Sequence, residues 1–346
     1  MNARAKSRRV SVCACSLILL AGCNWLSLAK NAVAYPTLKR GEASNIAATD
    51  SLLYVAKGED GLAIVDARSG MDIGMLAPPT GSESIDDIAI DGPLLFVLDA
   101  RAPGHVSVFS LGNSRRPRLV AAPRDVPVGP FSGVSAAAGL CVVSGGTSLL
   151  EAFRYDTAGA LAGPVATADL GRGQPDALVA ADGRRVYVST HYWGPYFGID
   201  IVQFNSAAGV LNTLAKLELD GAGFTRGGAK PANFPIVTAT LGSDTLLVAF
   251  AKGLGLIDTR NAAQPMVLRI IDVGGSAVSV DTDGSSAAVA VAAPNPSLVI
   301  LDFAESGARI VRRISLPPGT LPTGVALTAA IVSVTARDRG VLVFPR

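Results

Sequence analysis

Short runs of apolar residues recur along the chain at a nearly fixed interval. They read LLYVA from Leu52, LLFVL from Leu94, LCVVS from Leu140, VYVST from Val186, LLVAF from Leu246, AVAVA from Ala288 and IVSVT from Ile331, with starts 42, 46, 46, 60, 42 and 43 residues apart. Unbroken apolar runs of this length, bounded by turn residues, suit a strand covered on both faces, and a period of about 40 to 50 residues built from short strands marks β-propeller blades. Each repeat reads as a strand, a tight turn, the apolar run, a variable loop, an alternating third strand, a second turn and a fourth strand. The pairs Asp91-Gly92, Asp182-Gly183 and Asp283-Gly284 fall at the first turn, where a hairpin needs positive φ. The expected fold is all-β: a single seven-bladed β-propeller of four-stranded blades.

Third strands end as GLAIVD at Asp66, FRYD at Asp156, VQFN at Asn205, GLGLID at Asp258 and LVILD at Asp302, with Ser110 in the matching place of the second repeat. A row of carboxylates invites a catalytic reading. Their exchange with Asn and Ser, and their placement in different blades, identifies them instead as turn formers that bond the backbone two residues on. The lines GLAIVD, GLGLID and LVILD resemble the LVIVD repeat of bacterial surface and exported proteins, and more loosely the YVTN propellers. The resemblance covers roughly residues 35–346 and implies architecture rather than activity.

The seventh repeat stops at Arg346 directly after its third strand, GVLVFPR, and lacks a fourth. Tyr35 to Gly41, YPTLKRG, has the length of a strand without a partner, so the N-terminal strand is expected to close the last blade and hide the open edge. The organisation expected is a leader over 1–22, a tether over 23–34 and the propeller over 35–346.

The amino terminus changes the picture. MNARAKSRR is followed by thirteen uncharged residues, Val10 to Gly22, and then Cys23. That run is too short to span a bilayer, which takes about 20 apolar residues, and has the design of an export signal. Leu20, Ala21, Gly22 and Cys23 resemble the lipobox of bacterial lipoproteins, which implies cleavage and a covalent lipid on Cys23, the anchor of the chain to a membrane. In that family an Asp after the lipidated cysteine retains the protein at the inner membrane. Asn24 therefore implies the outer membrane, with the ring periplasmic or surface-exposed.

Charge closes several functions. Of 30 Lys and Arg, four lie in the first nine residues; without them 26 bases face 28 acids, and no basic surface for nucleic acid remains. With two histidines a multi-histidine metal centre is excluded, and no metal-type His or Cys spacing occurs. Once the leader is removed and Cys23 carries lipid, the domain keeps only Cys141, read as a buried strand residue rather than a nucleophile. His105 is read as solvent-facing.

One repeat is elaborated. The 60-residue interval arises from THYWGPYFG and GAGFTRGGAKPANF, two insertions expected side by side on the face where propellers bind partners. The first gathers His191, Tyr192, Trp193, Tyr196 and Phe197; the second carries Phe224, Arg226 and Lys230. Aromatic rings with polar tips and two cations suit a protein or glycan partner, while self-packing of a long loop explains the same composition. A second candidate is the acids Glu83, Asp86, Asp87 and Asp176 at the entries of inner strands, where carboxylates could hold Ca²⁺ at the channel mouth. Two functions follow: a non-enzymatic, membrane-anchored interaction or scaffold module that needs no cofactor, and, as the alternative, a propeller hydrolase or lactonase using those acids and a divalent cation.

Overall fold

The computed structural model describes residues 33–34, 45–101, 103–120, 122–126, 133–145, 149–171, 174–191, 198–218, 237–250, 252–303, 307–336 and 340–346. They contain strands and turns and no helix long and apolar enough to cross a membrane. Seven antiparallel sheets form a ring.

Blade 1 comprises β2 (Ile46–Ala48), β3 (Leu52–Ala56), β4 (Leu62–Asp66) and β5 (Asp72–Leu76). Blade 2 comprises β6 (Asp87–Asp91), β7 (Leu94–Asp99), β8 (Gly104–Ser110) and a divided outer strand, β9 (Arg118–Leu119) and β10 (Arg124–Val126), both paired with β8. Blade 3 is β11 (Gly133–Ala137), β12 (Leu140–Gly145), β13 (Leu149–Tyr155) and β14 (Leu161–Asp169); blade 4 is β15 (Gln174–Val179), β16 (Arg185–His191), β17 (Gly198–Asn205) and β18 (Val210–Glu218). Blade 5 is β19 (Val237–Leu241), β20 (Thr245–Phe250), β21 (Gly253–Asp258) and β22 (Met266–Ile271). Blade 6 is β23 (Ser276–Thr282), β24 (Ser286–Ala293), β25 (Ser297–Asp302) and β26 (Arg309–Ser315). Blade 7 is β27 (Pro322–Leu327), β28 (Ile331–Ala336), β29 (Gly340–Pro345) and, from the other end of the chain, β1 (Val33–Ala34).

The apolar runs are continuous because each second strand is covered on both faces. Leu53 and Val55 of β3 pack toward blade 7, whereas Leu52, Tyr54 and Ala56 pack toward blade 2. The same alternation produces seven apolar clusters, one at each junction between neighbouring blades. Inner strands touch in the cyclic order β2, β6, β11, β15, β19, β23, β27 and back to β2. The core is thus a set of sandwiches between blades, and no blade buries its own apolar faces alone.

The N-terminal strand closes blade 7, in register Val33↔Val343 and Ala34↔Leu342. Its residues are two that the sequence reading gave to the tether. The expected closing segment, Tyr35 to Gly41, lies outside the described residues.

Turn chemistry follows the reading. Asp66 Oδ1 accepts the N–H groups of Arg68 and Ser69, Asp156 Oδ1 those of Ala158 and Ala160, and Asn205 Oδ1 those of Ala207 and Ala208. In the Asp-Gly pairs it is the glycine that takes positive φ.

Outer strands carry a regularity that the sequence did not announce. Where the fourth strand pairs with the third, the register slips by a β-bulge in blades 1, 3, 4, 5 and 6, opposite Ile64/Val65, Ala152/Arg154, Ile201/Val202, Leu256/Ile257 and Ile300/Leu301. Blade 2 divides its outer strand, and blade 7 borrows one. Bulges twist an edge strand away from flat pairing, so the outer edges of these five blades are made poor templates for another chain.

Candidate functional site

The two insertions of the fourth repeat are framed by strand ends whose register is described. Gln174 pairs with His191, Thr190 with Gly198, and Gly198 with Glu218. The ends of β16, β17 and β18 therefore lie together at one edge of blade 4, and both insertions leave from it: one between β16 and β17, the other between β18 and β19. Tyr192, Trp193, Tyr196, Phe197, Phe224, Arg226 and Lys230 lie outside the described residues. His191 is placed by its backbone as the last residue of β16.

The acids divide by role. Glu83 is exposed and precedes β6, and its N–H donates to Asp99 Oδ2 at 2.6 Å. Asp86 accepts from the Ala100 N–H at 2.9 Å, and the Ser84 hydroxyl sits between Asp86 and Asp99, 2.9 Å from Asp99 Oδ1. The Arg101 N–H also donates to Asp99 Oδ1, at 3.0 Å. These carboxylates organise the loops at one edge of blade 2. Asp87, the first residue of β6, turns the other way, accepting from the Asn45 side chain of blade 1 and from the Val134 N–H of blade 3 at 2.8 Å. Asp176 is the third residue of β15, not at its entry, and only its backbone is described. Among the described residues no group of three or more His, Cys, Asp or Glu is arranged to hold a metal ion.

Asp87 belongs to a series linking inner strands. Ser135 of β11 accepts the Val179 N–H of β15 at 2.9 Å; Ser279 and Asp281 of β23 accept the Val325 and Leu327 N–H groups of β27 at 3.2 and 2.8 Å. An inner strand has no neighbour strand on its axial edge, and each of these side chains satisfies an N–H that the next blade leaves open. Burial pushes Asp87 and Asp281 up to about 6, against the hydrogen bonds they accept. The folded chain holds these protons more tightly than the unfolded one. The stability they contribute is therefore complete below the unfolded value of 3.8 and is lost as pH rises through about 6. Raising pH from 5 to 7.5 is expected to cost about 1 kcal/mol per carboxylate, and thermal melts of the Asp87→Asn, Asp281→Asn double variant should show that slope removed.

Lys57, the residue after β3, is 1% exposed. Its Nζ has no hydrogen-bond partner and lies 4.0 Å from Asp60 Oδ2. Burial lowers its pKa, opposed by the charges of Asp60 and Asp72. A buried ammonium without a hydrogen bond costs stability, so Lys57→Met should raise the unfolding free energy by about 1–3 kcal/mol, read from denaturant melts. A depressed lysine pKa also makes the wild type gain stability as pH rises toward the ordinary lysine value, 10.5, and the variant should lack that gain when melts are run up to pH 10.

His105 corrects the sequence reading. Its side chain is 12% exposed, with Nε2 3.4 Å from Asp125 Oδ1 across the β8–β10 pair and Nδ1 buried without a hydrogen-bond partner. It is an interior residue of blade 2. Cys141 is a free thiol, fully buried in β12, and burial drives its pKa up, which removes nucleophilic character.

Two tyrosines missed by sequence reasoning act as latches. Tyr54 of blade 1 donates to the Ser114 carbonyl of blade 2 at 2.9 Å, and Tyr187 of blade 4 to Thr259 Oγ1 of blade 5 at 3.0 Å. Their place within the apolar runs, in LLYVA and VYVST, was the available signal.

No family model matches the chain, and no curated protein matches its sequence. Among solved structures 1413 chains match. One, from a structure titled "Crystal Structure of Mitotic Checkpoint Complex", is similar with a TM-score of 0.64 and 14% identity over 91% of this chain and 94% of that one. At that identity the likeness shows the seven-bladed fold and nothing finer.

Proposed function

We propose that the protein is an exported lipoprotein, anchored through acyl chains on Cys23, whose propeller is a non-enzymatic interaction module for a protein or glycan partner. The observation that carries the reading is the common origin of the two blade 4 insertions at one edge, where the ends of β16, β17 and β18 stand together; by sequence the first insertion carries Tyr192, Trp193, Tyr196 and Phe197 and the second Phe224, Arg226 and Lys230. The lipobox LAGC, the export-type leader and Asn24 support anchoring and outer-membrane sorting. The similar solved chain comes from a structure titled as a complex, in keeping with propellers as surfaces for assembly. Against a hydrolase, Asp86 and Asp87 already accept hydrogen bonds from the protein's own donors.

The test is crosslinking in intact cells with identification of what is captured, for the wild type and Trp193→Ala. Aromatic anchors at an interface cost about 2 kcal/mol or more when truncated, so the variant should lose capture while its melting temperature stays near that of the wild type. A large drop in melting temperature with capture unchanged would make the insertion a structural brace.

A further inference from the structure

We propose that the outer rim of blades 5 and 6 rests on the anionic headgroup surface of a bilayer, so that the ring stands edge-on to the membrane. Met266 and Leu268 of β22 and Ile310 and Val311 of β26 are 58%, 54%, 37% and 46% exposed. Leu268 and Val311 are the extra residues of their bulges, turned out of the ordinary alternation of the strand. Blades 2 and 3 carry no such exposed side chain on their outer strands among the described residues. Blade 4 adds a single such residue, Val210 at the start of β18, 39% exposed, so the apolar rim is densest on blades 5 and 6 and leaves blades 2 and 3 bare.

Basic groups accompany it. Arg269 and Arg309 are exposed on the same two strands, and the Arg269 guanidinium extends to Gly307, two residues ahead of the neighbouring outer strand. Arg313 reaches back to the Val273 carbonyl at 2.5 Å. The two rims are thus laced by arginines, with Asp272 and Asp302 as nearby acids. Apolar side chains ringed by Arg match the boundary between acyl chains and anionic headgroups, where lipid-facing surfaces place the same mixture.

Position favours a bilayer over a protein as occupant. β1 forms the outer strand of blade 7, next to blade 6, and Cys23 precedes Val33 by ten residues, a reach of at most about 36 Å. An acyl chain at Cys23 would keep this rim within contact distance of the membrane. On the other side of blade 7, blade 1 continues the rim with Met71 and Met75, 67% and 47% exposed. The inference rests on the anchored reading above, and its test separates the two.

Spin labels are placed on full-length protein as Leu268→Cys, Val311→Cys and, on the far rim, Thr167→Cys, an exposed position of β14. Each is mixed with phosphatidylethanolamine vesicles containing phosphatidylglycerol, and collision with a water-soluble nickel chelate is compared with collision with oxygen. Labels at 268 and 311 should become shielded from the chelate and exposed to oxygen, while the label at 167 stays in water. Equal water exposure at all three positions overturns the proposal, as does shielding that appears only when an extract of soluble proteins is added. Mass spectrometry of the same samples reports whether Cys23 is acylated. An unmodified terminus with 268 and 311 still shielded would discard the anchor and keep the rim.

Discussion

Removing residues 340–346 is expected to destroy cooperative unfolding. Val341 and Val343 fill the junction of blades 7 and 1, and Leu342 and Phe344 the junction of blades 6 and 7. Burying each such side chain contributes about 1.5–3 kcal/mol, and four of them rival the whole stability of an ordinary domain, about 5–15 kcal/mol. The deletion also removes the strand on which β1 pairs, the Pro345 carbonyl that accepts Arg312 at 2.6 Å, and the Arg346 side chain that clasps Asp283 of blade 6. Calorimetry should show a broad transition in place of a single sharp one. The Val33→Pro, Ala34→Pro variant, which disturbs only the two-residue seam, should keep a sharp transition at a lower temperature. A truncated chain that melts like the wild type would mean that the ring does not close through β29.

Gly253→Ala is expected to cost more than about 3 kcal/mol, as large a loss as a single small substitution ordinarily gives. Gly253 opens the third strand of blade 5 with φ at 138°, and a Cβ there would lie 2.2 Å from the carbonyl oxygen of Ile271 in the paired outer strand. Gly61, at the same place in blade 1, has φ at 93° and would meet Leu76 O at 2.2 Å. Backbone cannot move aside as a flexible side chain can, so strain and clash add. Gly242→Ala is the comparison: its φ is 64°, nothing lies within 4 Å, and only the left-handed backbone is penalised, by about 1–2 kcal/mol. Denaturant midpoints of the two variants should differ clearly. Equal midpoints would show that the close approach is relieved by a shift too cheap to matter.

The repeated line GLAIVD/GLGLID thus had a physical content larger than its pattern. Its Asp was legible as a turn former because an Asx turn is a local event, settled within two or three residues. Its glycine was visible as a repeated letter, but the reason for it lies in a carbonyl from the next strand, which no local reading supplies. The apolar runs disclosed seven blades for the opposite reason: burial on both faces leaves an unbroken imprint. Polar contacts between blades left none. Asp87, Ser135, Ser279 and Asp281 act across about 46 residues of sequence on N–H groups whose need arises only once inner strands stand side by side. The acids at the entry of β6 were legible as residues, while their protein donors, the Ala100 N–H, the Asn45 side chain and the Val134 N–H, stand in other strands and loops that no local pattern reaches. His105 was misplaced because the outer strand β10 that covers it is three residues long, too short to register as a pattern.

The pairing of Val33 with Val343 joins almost the first and last positions of the described chain. A ribosome or a translocation pore delivers residue 33 long before residue 343. In the interval six blades can stack while the seventh place stands open, with the apolar faces of blades 1 and 6 turned toward water. The arrival of β29 therefore converts an open arc into a sealed circle, and until then the early strand has no mate to hold it. Sealing is by nature the slowest event, since it must wait for the longest loop in the molecule to find its ends. The same two-residue stitch is the natural place for the finished circle to breathe: hydrogen exchange at β1 and β29 should outpace exchange at β3 or β24.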